Sequence, residues 1–125
     1  MYRVYGILTP TSDFTLEEGA RRLAARFAPG FVRMSPGVVW VGTDDWLMQL
    51  QMVQGPDAQL EHEGIAGRLA GGDAVEIATC DRRVEAWSDT PDMGMAHFAD
   101  FQTVIEVLKS FPGVVVVDPK EPGVL

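Results

Sequence analysis

Ala96-His97-Phe98-Ala99-Asp100-Phe101-Gln102-Thr103-Val104-Ile105-Glu106-Val107-Leu108-Lys109-Ser110-Phe111-Pro112-Gly113-Val114-Val115-Val116-Val117 is the stretch whose reading decides the fold class. With about 100° of rotation per residue, Phe98, Phe101, Val104, Ile105, Val107, Leu108 and Phe111 fill one half of a helix. Thr103, Glu106, Lys109 and Ser110 take the other half. Pro112-Gly113 stops the helix, and four consecutive valines come next, too short a run for a helix and suited to a strand covered on both faces. A long amphipathic helix feeding a buried strand near the C-terminus points to an α+β domain with a packed sheet.

The rest of the chain fits that frame. Residues 3–8 read as a strand ended by Pro10. Thr15 and Glu18 form a capping box for a helix whose inner arc is Leu16, Ala20, Leu23, Ala24 and Phe27, and Pro29-Gly30 ends it. Its Glu17–Arg21 and Glu18–Arg22 pairs have the favourable order. Residues 31–34 and 38–41 read as strands about a Ser35-Pro36-Gly37 turn. In residues 46–53, Trp46, Met48, Leu50 and Met52 alternate against Leu47, Gln49, Gln51 and Val53, the pattern of an antiparallel strand with one wetter face. Gly55-Pro56-Asp57 breaks that pattern. A weak helix, burdened by Gly64 and Gly67, is expected over 61–70 with the stripe His62, Ile65, Ala66 and Leu69, ended by Gly71-Gly72. Residues 75–80 and 83–87 read as a hairpin turning near Asp81-Arg82.

The expected architecture is a single α+β domain over residues 1–125. It has a mixed or antiparallel sheet of about six strands, and three helices packed largely on one side. Through Cys80 the order matches the ferredoxin-like split β-α-β arrangement.

Composition bounds the function. The chain has 125 residues, 46% hydrophobic and 22% charged, with one cysteine and a formal net charge of −8. Such a composition supports a globular core without disulfides, and a lone Cys80 suits a reducing, cytoplasmic setting. The N-terminal apolar run is too short for a signal peptide, and no stretch reaches the length needed to span a membrane. Acid excess with scattered arginines argues against nucleic acid, whose binding is driven by phosphate neutralisation, and suits a basic protein partner; the plainer reading of the charge is solubility.

Motifs for chemistry are missing. There is no phosphate-binding glycine loop, no Gly-x-Ser-x-Gly, no Cys-x-x-Cys and no His-Glu-x-x-His. His62 and His97 each fall in the first turn of an expected helix, inside its apolar arc, with Asp100 three residues after His97. Together with Cys80 they form a candidate metal or acid–base set for a small ligand-binding or metal-dependent enzyme domain. The plainer reading is that they cover and cap helix ends. Cys80 itself reads as a small buried hydrophobe, with Arg82 and Arg83 near enough to lower its pKa. Asp44-Asp45 and the loop Ser88-Asp89-Thr90-Pro91-Asp92 read as solvated turns.

The residues best suited to hold a partner are Trp87, Asp89, Asp92, Met93 and Met95. Alternation turns Val84 and Ala86 inward and Trp87, with Glu85, to the opposite face, and methionines and tryptophans are common interface anchors, although a core tryptophan is the plainer reading. No catalytic residue, cofactor or metal is assigned. In size, acidity and single-domain α+β layout the chain resembles the small immunity proteins of bacterial toxin systems, which bind and block a cognate toxin inside the producing cell. That resemblance implies a non-enzymatic toxin inhibitor with a basic toxin domain as its partner. It rests on layout, so no family residue is transferred.

Overall fold

The four valines form the last strand of the sheet. The computed structural model describes residues 2–27, 30–69, 73–121 and 123–125. Its strands are β1 (Arg3–Leu8), β2 (Phe31–Ser35), β3 (Val38–Thr43), β4 (Trp46–Gln54), β5 (Arg82–Trp87) and β6 (Val114–Val117). Its helices are α1 (Leu16–Ala24), α2 (Pro56–Ala66), α3 (Asp73–Ala78) and α4 (Phe98–Lys109), with a single 3-10 turn at Met93–Met95. The six strands make one sheet in the order β2-β3-β4-β5-β1-β6, and every pairing is antiparallel.

Two cores sit on the two faces of this sheet. On one face Val4, Leu8, Val39, Val41, Trp46, Met48, Leu50, Val84, Ala86 and Val116 pack against Leu16, Leu23 and Phe27 of the α1 region and Val104, Val107, Leu108 and Phe111 of the α4 region. Each fully buried aliphatic side chain contributes roughly 1.5–3 kcal/mol. On the other face Tyr5, Ile7 and Val117 pack under Ile65 and Ala66 of α2, Ile77 of α3, and Cys80. β6 is thus covered on both sides, as its four valines require. The helices are not gathered on one side, as expected from the sequence; α1 and α4 cover one face and α2 and α3 the other.

The helix starts obey local chemistry. Thr15 Oγ1 accepts from the Glu18 N–H at 3.1 Å, the N-terminal half of the expected capping box. Glu18 pairs with both Arg21 and Arg22, which holds its carboxyl down at about 2. Arg26 of the α1 end reaches Glu106 of α4 at 2.5 Å, and the Arg22 guanidinium lies 3.8 Å over the Phe111 ring, so the two helices lock side by side.

Three expectations are corrected. The helix expected over 61–70 runs instead over Pro56–Ala66. Gly55-Pro56-Asp57, read as a break, is its start signal: proline at the first helical position needs no N–H partner, and Gly55 takes φ 123° before it. The expected end at Gly71-Gly72 lies outside the described residues, as does Pro29 at the end of α1.

Residues 75–80 are not a strand. Residues 73–78 form α3, because Ala74, Ile77 and Cys80 recur at helical spacing and point at the second core, while Val75 is 78% exposed. No place beside β5 is left for that segment, since β5 is already paired on both edges, by β4 and by β1. The hairpin with 83–87 therefore does not form.

The ferredoxin-like order through Cys80 also fails to appear, because three strands separate β1 from β2. A split β-α-β unit occurs later in the chain, where α4 joins β5 to β6 on either side of β1.

The β3–β4 turn is tight. A Cβ on Gly42 would collide with the Trp46 carbonyl oxygen, so only glycine fits there. That turn fixes the register which sets Val38↔Gln51, Trp40↔Gln49 and Gly42↔Leu47. No described helix is long and apolar enough to cross a membrane.

Candidate functional site

The second face of the sheet is covered only at one end. Alternation puts Phe31, Arg33, Ser35, Trp40, Leu47, Gln49, Gln51, Glu85, Trp87 and Arg3 on the same side as Tyr5 and Ile7. There, α2 crosses β5 near Arg83 and leaves the β2-β3-β4 end without a described helix over it. Arg33, Ser35 and Gln51 are exposed, and Trp40, Gln49 and Trp87 are half-buried.

Register aligns these residues. Arg33 opposes Trp40, Trp40 opposes Gln49, Gln49 opposes Trp87, and Trp87 opposes Arg3. The result is one row across five strands: Arg33, Trp40, Gln49, Trp87, Arg3. A hollow lies at each end of it. One, of about 420 Å³, is lined by Phe31, Arg33, Ser35, Trp40 and Leu47. The other, of about 250 Å³, is lined by Arg3, Tyr5, Trp87, Asp89 and Lys120.

Of the expected partner-binding residues, Trp87 stands in this row and Asp89 beside it. The others diverge. Asp92 accepts a hydrogen bond from the Tyr2 hydroxyl at 2.5 Å and from the His97 N–H at 2.9 Å. Tyr2 stacks on Phe101 and edges onto Trp46, so Asp92 sits towards the α4 side of the sheet, opposite to the Trp87 ring. The Asp92 bond pushes the Tyr2 hydroxyl up to about 12. Met93 is 88% exposed, and Met95 is exposed with φ 57°, in the 3-10 turn before α4. Asp92 is thus separated by the sheet from the Trp87 ring. Of the three tryptophans, Trp46 is 2% exposed and belongs to the core.

The two histidines lie on opposite faces, so His62, His97 and Asp100 do not converge. Among the described residues, no group of three His, Cys, Asp or Glu side chains is placed to hold a metal. Only the pair His97 and Asp100 meets, at 2.9 Å.

His62 is fully buried under α2, with Nδ1 2.7 Å from the Cys80 carbonyl and Nε2 3.2 Å from Arg83. With Arg83 donating to Nε2, Nδ1 carries the proton and donates to Cys80. Burial holds its pKa below the usual value, and the nearby Arg83 charge adds to that, although the Cys80 bond opposes it. Arg83 also pairs with Glu85 at 2.7 Å and Glu61 at 3.3 Å and lies 4.2 Å over the Tyr5 ring. This network ties α2 to the sheet. Cys80 is buried and its thiol donates to the Glu76 carbonyl. Burial pushes its pKa up, against the lowering that adjacent arginines suggested.

His97 stacks parallel on Trp46, with ring centroids 5.1 Å apart, and also reaches Asp45 at 3.1 Å. The Asp100 bond raises its pKa, with Asp45 and Asp92 reinforcing the shift against desolvation. It clips the Asp44-Asp45 turn to the start of α4.

The two histidines give opposite pH dependence. The lowered His62 contributes stability that is lost as pH falls below about 6.5; the raised His97 contributes stability that is lost as pH rises above about 6.5. Thermal melts between pH 5.5 and 8 are expected to show His62→Gln flattening the acid limb and His97→Gln flattening the alkaline one. Unchanged slopes in both variants would contradict these assignments.

Compared with protein-family models, curated proteins and solved structures, the chain shows no significant match.

Sequence reasoning turned Trp87 to the correct face but missed Arg3, Arg33, Trp40 and Gln49 as its companions. The available signal was parity: Gln49 and Gln51 already marked a wetter face of β4. What was missing was the strand order that sets Trp40 and Trp87 on either side of Gln49.

Proposed function

We propose that this protein is a non-enzymatic protein-binding domain that seats its partner on the uncovered end of the sheet. The supporting observation is the Arg33-Trp40-Gln49-Trp87-Arg3 row. Two half-buried tryptophans and flanking arginines form an aromatic and cationic surface of the kind that anchors protein interfaces. Nothing in the fold occupies this surface among the described residues, whereas the opposite face is sealed by α1 and α4.

The helices over the other end of this face, and the turn into β5, expose acidic side chains. Asp57, Glu61 and Glu63 of α2, Glu76 of α3, and Asp81 are exposed, with Arg68 the only exposed cation of α2 and its end among the described residues. The overall net charge of −8 favours encounter with a basic protein at long range, while the arginines of the row take acceptor groups of that partner at contact. An immunity role, in which the partner is a toxin domain made by the same cell, is the form of this reading that the size and acidity favour, and it implies a cytoplasmic site of action.

The test uses the full chain as bait in the native host. A protein bound in stoichiometric amount by the wild type is expected to be lost from the Trp40→Ala/Trp87→Ala double variant. Equal recovery by both would contradict the assignment of this face.

A further inference from the structure

We infer that the segment seated on this face is a proline-rich stretch of the partner, lying across the strands with its prolines against Trp40 and Trp87; this rests on the binding role proposed above. Trp40 and Trp87 sit two strands apart, with Gln49 between them. Two strand spacings amount to about 9.5 Å. A polyproline II helix repeats every three residues, a turn of about 9.3 Å. One proline on each ring, with a turn of the ligand over Gln49, therefore matches the row without stretching either partner.

Hydrogen-bonding chemistry points the same way. The row offers guanidinium donors at Arg33 and Arg3, indole N–H donors at Trp40 and Trp87, and one carboxamide at Gln49. The Trp40 indole makes only a long contact, 3.4 Å to Ser35 Oγ. The Gln49 carbonyl is the one side-chain acceptor in the row. A proline run is the reverse: its residues lack N–H groups, and its carbonyls have no internal partners. Aromatic grooves of this kind are an established way to recognise such segments.

Other occupants fit less well. A second copy related by a two-fold axis would set one donor-rich row against another and bring arginine against arginine. Single-stranded nucleic acid also stacks on aromatics, but a net charge of −8 repels its phosphates.

The test is a titration of decaproline into the full-length protein, followed through the three indole N–H resonances. Those of Trp40 and Trp87 are expected to move saturably while that of buried Trp46 stays. A Gly-Ser decapeptide moves none of them. Trp87→Ala weakens binding about tenfold or more. Gln49→Leu, which leaves both rings in place, weakens it by a smaller factor. Unmoved Trp40 and Trp87 resonances at millimolar decaproline would overturn the inference. So would the same shifts produced by a thymidine decanucleotide, or by raising the protein concentration alone. If decaproline fails while partner capture still depends on Trp40 and Trp87, the proline assignment falls and the binding face stands; if capture is indifferent to both tryptophans, the binding face itself falls.

Discussion

Trp46→Ala is expected to lower the unfolding free energy by about 3–5 kcal/mol, the cost of emptying a large buried aromatic site. Trp40→Ala and Trp87→Ala are each expected to cost about 1 kcal/mol. The contrast arises from position alone. Trp46 is 2% exposed, its ring stacks on His97 and meets the edge of Tyr2, and it lies in the core beneath α4. Removing it also frees the clip that His97 makes between the Asp44-Asp45 turn and α4. Trp40 and Trp87 project from the other face and are half in water. Urea unfolding of the three variants measures the difference. Similar losses in all three would mean that the second face is packed, and the binding surface with it would vanish.

The second large effect belongs to Arg83, which is 3% exposed. Arg83→Ala removes the donor to His62 Nε2, the partner of Glu85 and the cation over Tyr5 in one step. Breaking a buried pair from one side costs about 3–5 kcal/mol in general. Here about 3 kcal/mol is expected, because Glu61 already reaches water and Glu85 does so in part. Arg83→Met restores the packing of the stem over Tyr5 but not the pairing, and should recover only a fraction. Arg83→Met combined with Glu85→Leu removes both charges and should recover most of the loss. Chemical denaturation of the three variants checks the order; an Arg83→Ala protein as stable as the wild type would show that the network holds nothing together.

These two sites also show where the sequence was readable. α1 and α4 carry their cores in a helical period, so their positions emerged from spacing and their buried faces in part: Ala24 and Phe98, expected inside, are exposed. β4 alternates over eight residues, and its two faces emerged as well. The His62 stripe correctly announced a buried histidine, but not its partner. Arg83 is 21 residues away, and only the crossing of α2 over β5 brings the two side chains together. The helix start at Pro56 was misread because proline both breaks and begins helices, and the residues C-terminal to it decide between the two. Residues 73–78 were misread because a short apolar run fits either period, and β5, its expected hairpin partner, is paired on both sides by other strands.

The site was legible by halves. Parity fixed the face of Trp87, yet chain proximity grouped it with Asp92, which the structure sets towards α4. Its true neighbours, Trp40 and Gln49, come from strands 38 residues or more before it in the chain. Antiparallel order is a long-range property, and no local pattern carries it.

The most direct test of the binding face is hydroxyl-radical footprinting of the protein alone and with its captured partner. Alone, Trp40 and Trp87 are expected to oxidise readily and Trp46 to be protected. With the partner bound, Trp40 and Trp87 become shielded while Met93 and Met95 keep their reactivity. Shielding of Met93 and Met95 with unchanged Trp40 and Trp87 would place the interface on the loop before α4 and contradict a binding face built on the tryptophan row.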